Sequence, residues 1–178
     1  MTHRARDRFN TLVLPRLDEG HQLARWLTGS PTDAEDVVQE ASLRAFRAID
    51  TFADGNARAW FLTIVRNTCY SWLKQHRPRV EISSEDLGPG DRAAVDTGGA
   101  LARGPETPEA ALIAKHEAGR LRQAIDDLPV LLKEILVLRE YHDLSYREIA
   151  AVSGVPVGTV MSRLARARQA LLTRFGAE

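Results

Sequence analysis

The sequence predicts an all-α fold with two small helical domains joined by a flexible linker. Apolar residues recur at intervals of three or four in both halves, and no segment alternates apolar and polar residues for long enough to predict a sheet. Glycine and proline interrupt the chain every few residues between the halves, and 178 residues are enough for two small domains. We therefore predict domains over residues 1–80 and 108–178, with the linker over 81–107.

The first half is expected to begin with two helices. One covers about Phe9 to Leu27. The next begins with Thr32 as its N-cap and Glu35 three residues later, the spacing of a capping box. The core face of this second helix is marked by apolar residues at intervals of three or four: Val37, Ala41, Ala45 and Ala48 or Ile49.

A third helix is predicted from about Ala57 to Gln75. Its apolar face is marked by residues at intervals of four: Trp60, Ile64, Thr68 and Trp72. For the two tryptophans this pattern favours core packing over base stacking. Phe61 and Tyr70 lie off that face, so they are the better candidates for stacking on nucleic-acid bases.

The second half predicts four helices, of which the last two form a helix-turn-helix. The first two run from Pro108 towards Asp127 and from Pro129 to about His142. The pair that follows begins with Ser145 as N-cap and Glu148 completing a capping box, turns at Gly154, and continues from Pro156 to Phe175. In a helix-turn-helix the second helix of the pair enters the major groove of DNA.

One face of the last helix has the chemistry of a DNA reader. At 100° per residue, Val160, Leu164, Ala167 and Leu171 form the core stripe, and four residues lie opposite it: Ser162, Ala165, Arg166 and Gln169. Thr159 and Arg163 lie nearer the flank. Arginine can bond guanine bidentately, and serine or threonine can reach a base edge or a phosphate. A merely solvated basic helix is the alternative, and the capped helix and glycine turn before it favour DNA contact.

Composition excludes several other classes of protein. The net charge of zero divides into +3 for residues 1–80, −5 for 81–110 and +2 for 111–178, so the acidic segment lies between two mildly basic ones. The lone Cys69 cannot form an internal disulfide, and the five histidines are scattered without metal-ligand spacing. No apolar run is long enough to span a membrane and no signal sequence is recognisable, so we expect a cytoplasmic protein without metal or cofactor.

Two blocks resemble the sigma-70 family of bacterial transcription factors, in its extracytoplasmic-function (ECF) group. They are DAEDVVQE at 33–40 in the first half, and LSYREIA at 144–150 with VPVGTVMSRL at 155–164 in the second. The resemblance covers roughly residues 9–78 and 108–175. It implies a non-enzymatic promoter-specificity subunit with a sigma2 and a sigma4 domain, which binds core RNA polymerase through the β′ clamp helices and the β flap. It also implies control by a separate anti-sigma factor.

The resemblance assigns site residues in three groups. The polymerase contacts are Asp33, Glu35, Asp36, Val38, Gln39 and Leu43. The contacts to the −10 promoter element are Asp54, Gly55, Asn56, Arg58, Phe61, Arg66, Asn67, Tyr70 and Lys74. The contacts to the −35 element are Ser145, Tyr146, Thr159, Ser162, Arg163 and Arg166. Capturing a flipped base requires a pocket that compensates the lost stacking, and the loop at 53–58 takes that role in the family.

Two other function classes remain as alternatives. An ordinary helix-turn-helix regulator with a sensing N-terminal half would not need the acidic block at 33–40, and would bind duplex promoters without polymerase. A helix-bundle hydrolase would need a catalytic constellation, and the sequence has no glycine-rich phosphate loop and no paired carboxylate and histidine.

Overall fold

The computed structural model describes residues 3–53, 55–77 and 107–175, and all regular structure in these ranges is helical. The described residues form eight α-helices and one short 3-10 turn. The first domain contains α1 (His3–Leu12), the 3-10 turn (Leu14–Arg16), α2 (Leu17–Thr28), α3 (Pro31–Ala48) and α4 (Ala57–His76). The second contains α5 (Pro108–Asp126), α6 (Val130–Glu140), α7 (Tyr146–Ser153) and α8 (Val157–Phe175). The linker predicted over 81–107 lies almost entirely outside the described residues.

The single helix expected over Phe9 to Leu27 is wrong, because Pro15 divides it. The chain leaves α1 at Leu12, forms a 3-10 turn that contains this proline, and re-enters helix at Leu17. A proline is tolerated in the first turn of a helix but not in its interior, where it lacks an N–H and clashes with the preceding turn.

The N-cap of α3 is Ser30 and not Thr32. The Ser30 hydroxyl accepts a hydrogen bond from the Asp33 backbone N–H at 3.3 Å, and Pro31 occupies the first helical position, where its missing N–H costs nothing. The predicted core face is confirmed, since Val37, Ala41, Ala45 and Ile49 are buried, but Ala48 is only half-buried.

The core of the first domain requires a close approach between α2 and α4. A Cβ atom added at Gly20 would lie 2.8 Å from Cε1 of Phe61 and 3.2 Å from a methyl group of Val65. Only glycine therefore fits at this position without movement of buried side chains. Phe61 is fully buried, which corrects its assignment as a candidate for stacking on bases.

The second domain folds as predicted from its caps and turns. Ser145 and Glu148 form the capping box of α7, and Gly154 ends that helix with a φ of 70°, in the left-handed region that favours glycine. Helix α8 packs on α5, α6 and α7. Helix α6 is buried from Val130 to Leu138, because it contacts both its own domain and α2 of the first domain.

The two domains pack directly against each other. Helix α4 contacts α7, and α2 contacts α6. The rings of Trp26 on α2 and Tyr141 after α6 lie 5.0 Å apart between centroids, and the Arg122 guanidinium lies 4.3 Å from the Trp26 ring. Helix α4 packs on α2 and α3 of its own domain and on α7 of the second domain. Its buried residues therefore do not follow a single stripe.

Candidate nucleic-acid interface

The segment predicted to read the −10 element begins at the N-terminus of α4. Asp54 lies outside the described residues and Gly55 is exposed. Asn56 is the N-cap of α4, because its Oδ1 accepts the Ala59 backbone N–H at 3.0 Å. Its Nδ2 donates to Oε1 of Glu148 in the second domain at 2.8 Å. Asn56 thus caps α4 and joins the two domains, and its contact with the −10 element stays a prediction.

Arg58 lies two residues further along the chain and bridges both domains. Its Nε donates to Glu19 on α2, and its Nη2 donates to the backbone carbonyl of His142 at 2.6 Å. The imidazole of His142 is buried, with its Nδ1 3.9 Å from the Glu19 carboxylate. Burial lowers the pKa of His142, and the nearby Glu19 charge opposes that shift without cancelling it.

Arg66 and Tyr70 converge on one carboxylate of the second domain. Arg66 Nε donates to Oε1 of Glu134 at 2.6 Å, and the Tyr70 hydroxyl donates to Oε2 at 2.6 Å. The Glu134 side chain is fully buried, and the Arg66 guanidinium lies 4.3 Å above the Tyr70 ring. Burial, followed by the charge of Glu134, raises the pKa of Tyr70. For Arg66, burial opposes the charged form, but the hydrogen bond and charge of Glu134 outweigh it and raise the pKa.

The other predicted −10 residues divide by exposure. Asn67 and Lys74 are exposed, and Asn67 Oδ1 accepts a 3.1 Å hydrogen bond from Arg66. Phe61 faces the core beneath Gly20 and cannot stack on a base there. Cys69 is buried as expected, and burial raises the pKa of its thiol to about 12, so the thiol stays protonated at neutral pH.

The predicted −35 residues lie on α7 and α8. Ser145 is occupied by the capping box, in which its N–H and hydroxyl both donate to Glu148 and hold the pKa of that carboxyl below its usual range. Tyr146 is half-buried with the Arg139 guanidinium 5.3 Å from its ring. The remaining candidates on the outer side of α8 are half-buried and reach the surface in part: Thr159, Ser162 and Arg166.

Arg163 does not lie at the surface of α8. It is 6% exposed, and its Nε and Nη1 have no hydrogen-bond partner within the described residues. Its helical angle places it beside the core stripe that contains Val160 and Ala167. Helix α8 packs on three other helices, so its buried face is wider than that stripe and includes Arg163. The prediction that Arg163 meets DNA is therefore wrong for this arrangement of the chain.

The predicted polymerase contacts lie on one outer face of α3, with one exception. Glu35, Asp36, Gln39 and Leu43 are exposed, and Leu43 is 48% exposed. Asp33 is half-buried in the first turn, where its negative charge complements the helix dipole. Val38 is only 9% exposed, which corrects its assignment as a contact residue. It lies beside Val37 and Ala41 on the side of α3 that packs against α2 and α4.

Two clefts contain residues that sequence reasoning missed. One, of about 540 Å³, lies between α5, α6 and α8 and is lined mainly by apolar side chains: Leu121, Ile125, Leu136, Tyr141, Leu171, Leu172 and Phe175. The exposed Leu172 and Phe175, off the core stripe of α8, were the available signal. The other, of about 700 Å³, lies beside the 53–58 loop and includes Arg4 and Arg8, and Arg8 donates to the Phe52 carbonyl at 2.6 Å.

Neither a cluster suited to a metal ion nor a membrane-spanning helix is present in the described ranges. No cluster of three or more histidine, cysteine, aspartate or glutamate residues could hold a metal ion there. None of the helices in those ranges is long and apolar enough to cross a membrane.

Comparisons with known proteins match both halves of the chain to one family. Residues 12–79 match the family description "Sigma-70 region 2" and residues 118–171 match "Sigma-70, region 4". The RNA polymerase sigma-H factor of Pseudomonas aeruginosa is 37% identical over 145 residues, which cover 78% of this chain and 71% of that protein. The ECF RNA polymerase sigma-E factor of Escherichia coli K12 is 37% identical over 140 residues, covering 78% and 72%.

Two solved structures are similar over both domains. The sigma factor RpoE of Bartonella quintana, in complex with the anti-sigma factor NepR, has a TM-score of 0.66 at 26% identity and covers 96% of this chain and 98% of that chain. CnrH in complex with the cytosolic domain of CnrY has a TM-score of 0.65 at 27% identity and covers 96% and 88%.

Proposed function

Because this chain belongs to the ECF group of sigma-70 family sigma factors, which direct transcription initiation and are not enzymes, we propose a specific division of roles between its domains. The first domain docks on core RNA polymerase through α3 and reads the −10 element through α4. The second reads the −35 element through α8. The observation that carries the docking role is the exposed acidic face of α3, because it offers charge and an exposed leucine together.

The docking face combines features of a protein interface. Glu35, Asp36, Gln39 and Leu43 are exposed along two turns of α3, so an apolar side chain at one end lies on the same face as acidic and amide groups. Acidic groups steer a basic partner into register, while burial of Leu43 contributes affinity. The clamp helices of the polymerase β′ subunit are the partner we assign to this face.

Charge reversal tests the docking face directly. Asp36→Arg should weaken binding to core polymerase about tenfold or more, since a reversed contact charge costs more than about 1.4 kcal/mol. Asp50→Arg is the matched control, because Asp50 is also exposed but lies beyond the C-terminal end of α3. Equal affinity of the two variants for core polymerase would remove the assignment.

The promoter contacts rest on charge and donor geometry. We assign phosphate contacts to Arg58, Arg66 and Lys74, and the −35 base or phosphate contacts to Ser162 and Arg166, because guanidinium groups can bond guanine or phosphate bidentately. Phosphate contacts release counterions, so binding should weaken steeply with salt. Arg58 and Arg66 are engaged with the second domain in the present arrangement.

The apolar cleft on the second domain is our candidate binding site for the polymerase β flap. Its 540 Å³ between α5, α6 and α8 suits the apolar face of a helix, and the polymerase β flap would occupy it during initiation. The similarity to sigma factors solved with NepR and with the cytosolic domain of CnrY supports control by an anti-sigma factor and a cytoplasmic location.

Reconstituted transcription tests the function as a whole. The purified chain, added to core polymerase and genomic fragments beginning with the region upstream of its own gene, should produce discrete run-off transcripts that core alone does not. Tight binding to specific duplex promoters without polymerase, together with no association with core, would instead identify an ordinary helix-turn-helix regulator.

A further inference from the structure

The first helix holds one arginine against the backbone of the segment that joins α3 to α4. Arg8 lies on α1, and its Nη2 donates to the Phe52 carbonyl at 2.6 Å, across 44 residues of sequence. The Arg8 side chain is half-buried, so water competes only in part for this hydrogen bond. A guanidinium donates a charge-assisted hydrogen bond, which is stronger than a neutral one. Arg8 therefore connects α1 to the residue immediately before the 53–58 loop.

Helix α1 is itself fixed to the body of the first domain. Ala5 is buried, and the ring of Phe9 lies edge-on to the ring of Phe46 on α3, with 5.2 Å between centroids and 82° between the ring planes. Edge-to-face pairs of this kind stabilise the packing of two elements beyond the apolar area that they bury. The guanidinium of Arg8 thus extends from an anchored helix, and the Phe52 carbonyl is held at a defined place relative to α3.

The 53–58 loop lies between two fixed points. At its start, the Phe52 ring packs on the ring of Trp60 in the first turn of α4, with 4.7 Å between centroids. Near its end, Asn56 caps the N-terminus of α4. Ala53, which follows Phe52, is exposed and contributes no side chain to the core. The path of the loop therefore depends on how the backbone of Phe52 is held.

We propose that Arg8 is a positioning residue for promoter recognition: by holding the Phe52 carbonyl, it fixes the path of the 53–58 loop towards the −10 element. This inference rests on the proposed function, because it requires that the loop reads that element. The role of Arg8 is indirect, since its Nη2 is occupied by a protein carbonyl and acts on bases only through the loop.

The cleft of about 700 Å³ beside the loop provides an internal comparison. Helix α1 forms one wall of this cleft, and Arg4 and Arg8 both line it. Arg4 is exposed and lies one turn before Arg8 on the same side of the helix. The hydrogen bonds between described residues include one from Arg8 to Phe52 and none from Arg4 to the loop. The two arginines therefore share a charge and a location but differ in their connection to the loop.

The test measures base discrimination by the complete holoenzyme. The full chain is combined with core polymerase, and initiation is measured on the promoter identified by run-off transcription. The same measurement is made on copies with one base pair changed in the −10 or the −35 element. Each change should reduce initiation about 5- to 150-fold, and we call these factors the −10 ratio and the −35 ratio.

Three substitutions on α1 separate the connection to the loop from the charge. Arg8→Met removes the donors but keeps a long unbranched side chain of high helix propensity. Arg8→Lys keeps a charged donor, and Arg4→Met is the matched control. Arg8→Met should lower the −10 ratio about tenfold, because loss of a charge-assisted hydrogen bond lets the loop populate other paths. The −35 ratio should stay unchanged, Arg8→Lys should restore most of the −10 ratio, and Arg4→Met should keep all of it.

A phosphate contact by Arg8 would give a different pattern. Arg8→Met would then weaken initiation by one factor on every promoter copy and leave the −10 ratio intact, and the salt slope of promoter binding would fall by about one. That result overturns the proposal. An equal fall of the −10 and −35 ratios also overturns it, as does an equal effect of Arg4→Met on the −10 ratio. Arg8→Gln, which has a shorter neutral side chain, replaces Arg8→Met if circular dichroism shows the latter to be unfolded.

The wild-type chain separates this inference from the proposed function. If it initiates at the promoter and the Arg8 variants keep the wild-type −10 ratio, only the positioning role is refuted. If the wild-type chain neither binds core polymerase nor initiates, the assignment of the loop to promoter DNA fails and the positioning role fails with it.

Discussion

Phe61→Ala is the substitution that best separates core packing from DNA contact in α4. Phe61 is fully buried and its ring lies beneath Gly20 of α2, so truncation removes a well-packed aromatic side chain. A change of this kind costs about 3–5 kcal/mol, as lost transfer free energy plus a cavity. At about 2–4 °C per kcal/mol for a chain of this size, the melting temperature should fall by roughly 6–20 °C.

The assay is urea unfolding followed by circular dichroism, with Phe175→Ala as the control. Phe175 is 38% exposed at the end of α8, so its truncation should cost only about 1 kcal/mol. If Phe61→Ala changed the free energy of unfolding by less than about 1 kcal/mol while weakening single-stranded DNA binding, Phe61 would be a stacking residue and the packing argument would be refuted.

Three further predictions concern Gly20, His142 and Arg166. Gly20→Ala should lower the free energy of unfolding by up to about 2 kcal/mol in urea titrations, because the clash with Phe61 costs about 1–3 kcal/mol and the gain in helix propensity returns only about 1 kcal/mol. Because burial lowers the pKa of His142 below 6.5, the unfolded chain binds more protons, so unfolding midpoints should fall as pH drops below about 6.5 and stay level above it, and His142→Gln should reduce that dependence. Arg166→Ala should reduce promoter-specific run-off transcription about 5- to 100-fold with unchanged core binding, as expected for one lost guanine or phosphate contact.

Helix α5 supplies a matched control for each of these three predictions. Gly119 has open space around its Cα, so Gly119→Ala should not destabilise the chain, and a loss equal to that of Gly20→Ala would contradict the packing argument. His116→Gln removes an exposed imidazole and should leave the pH dependence intact. Lys115→Ala removes an exposed positive charge of the same domain, and a transcription defect as large as that of Arg166→Ala would argue against a specific contact.

The features that the sequence predicted correctly are those determined by neighbouring residues. The capping box of Ser145 and Glu148 involves groups three residues apart, and Gly154 is required by the backbone of its own turn, so both are readable from a short segment. The wrong N-cap of α3 also had a local signal. Pro31 favours the first helical position, which makes Ser30 the cap and leaves Thr32 inside the first turn.

The features that could not be predicted depend on contacts far apart in the sequence. The expected core face of α4 was only partly correct, because Thr68 is buried but Trp60, Ile64 and Trp72 are half-buried. Phe61 is buried because glycine on α2 lets the two helices approach, and that pairing has no local signature. The burial of Arg163 and Val38 likewise depends on which neighbouring helices cover them.

Arg66→Ala should weaken both the folded chain and its binding to DNA. The substitution removes a candidate phosphate contact, and it also leaves the carboxylate of Glu134 buried without its charged partner. Lys74 is exposed on the same helix, so Lys74→Ala removes a candidate phosphate contact without leaving a buried charge unpaired. In urea titrations Arg66→Ala should therefore lower the free energy of unfolding by about 3–5 kcal/mol, whereas Lys74→Ala should change it by less than about 0.5 kcal/mol. Equal losses of stability in the two variants would show that burial of Glu134 does not depend on Arg66.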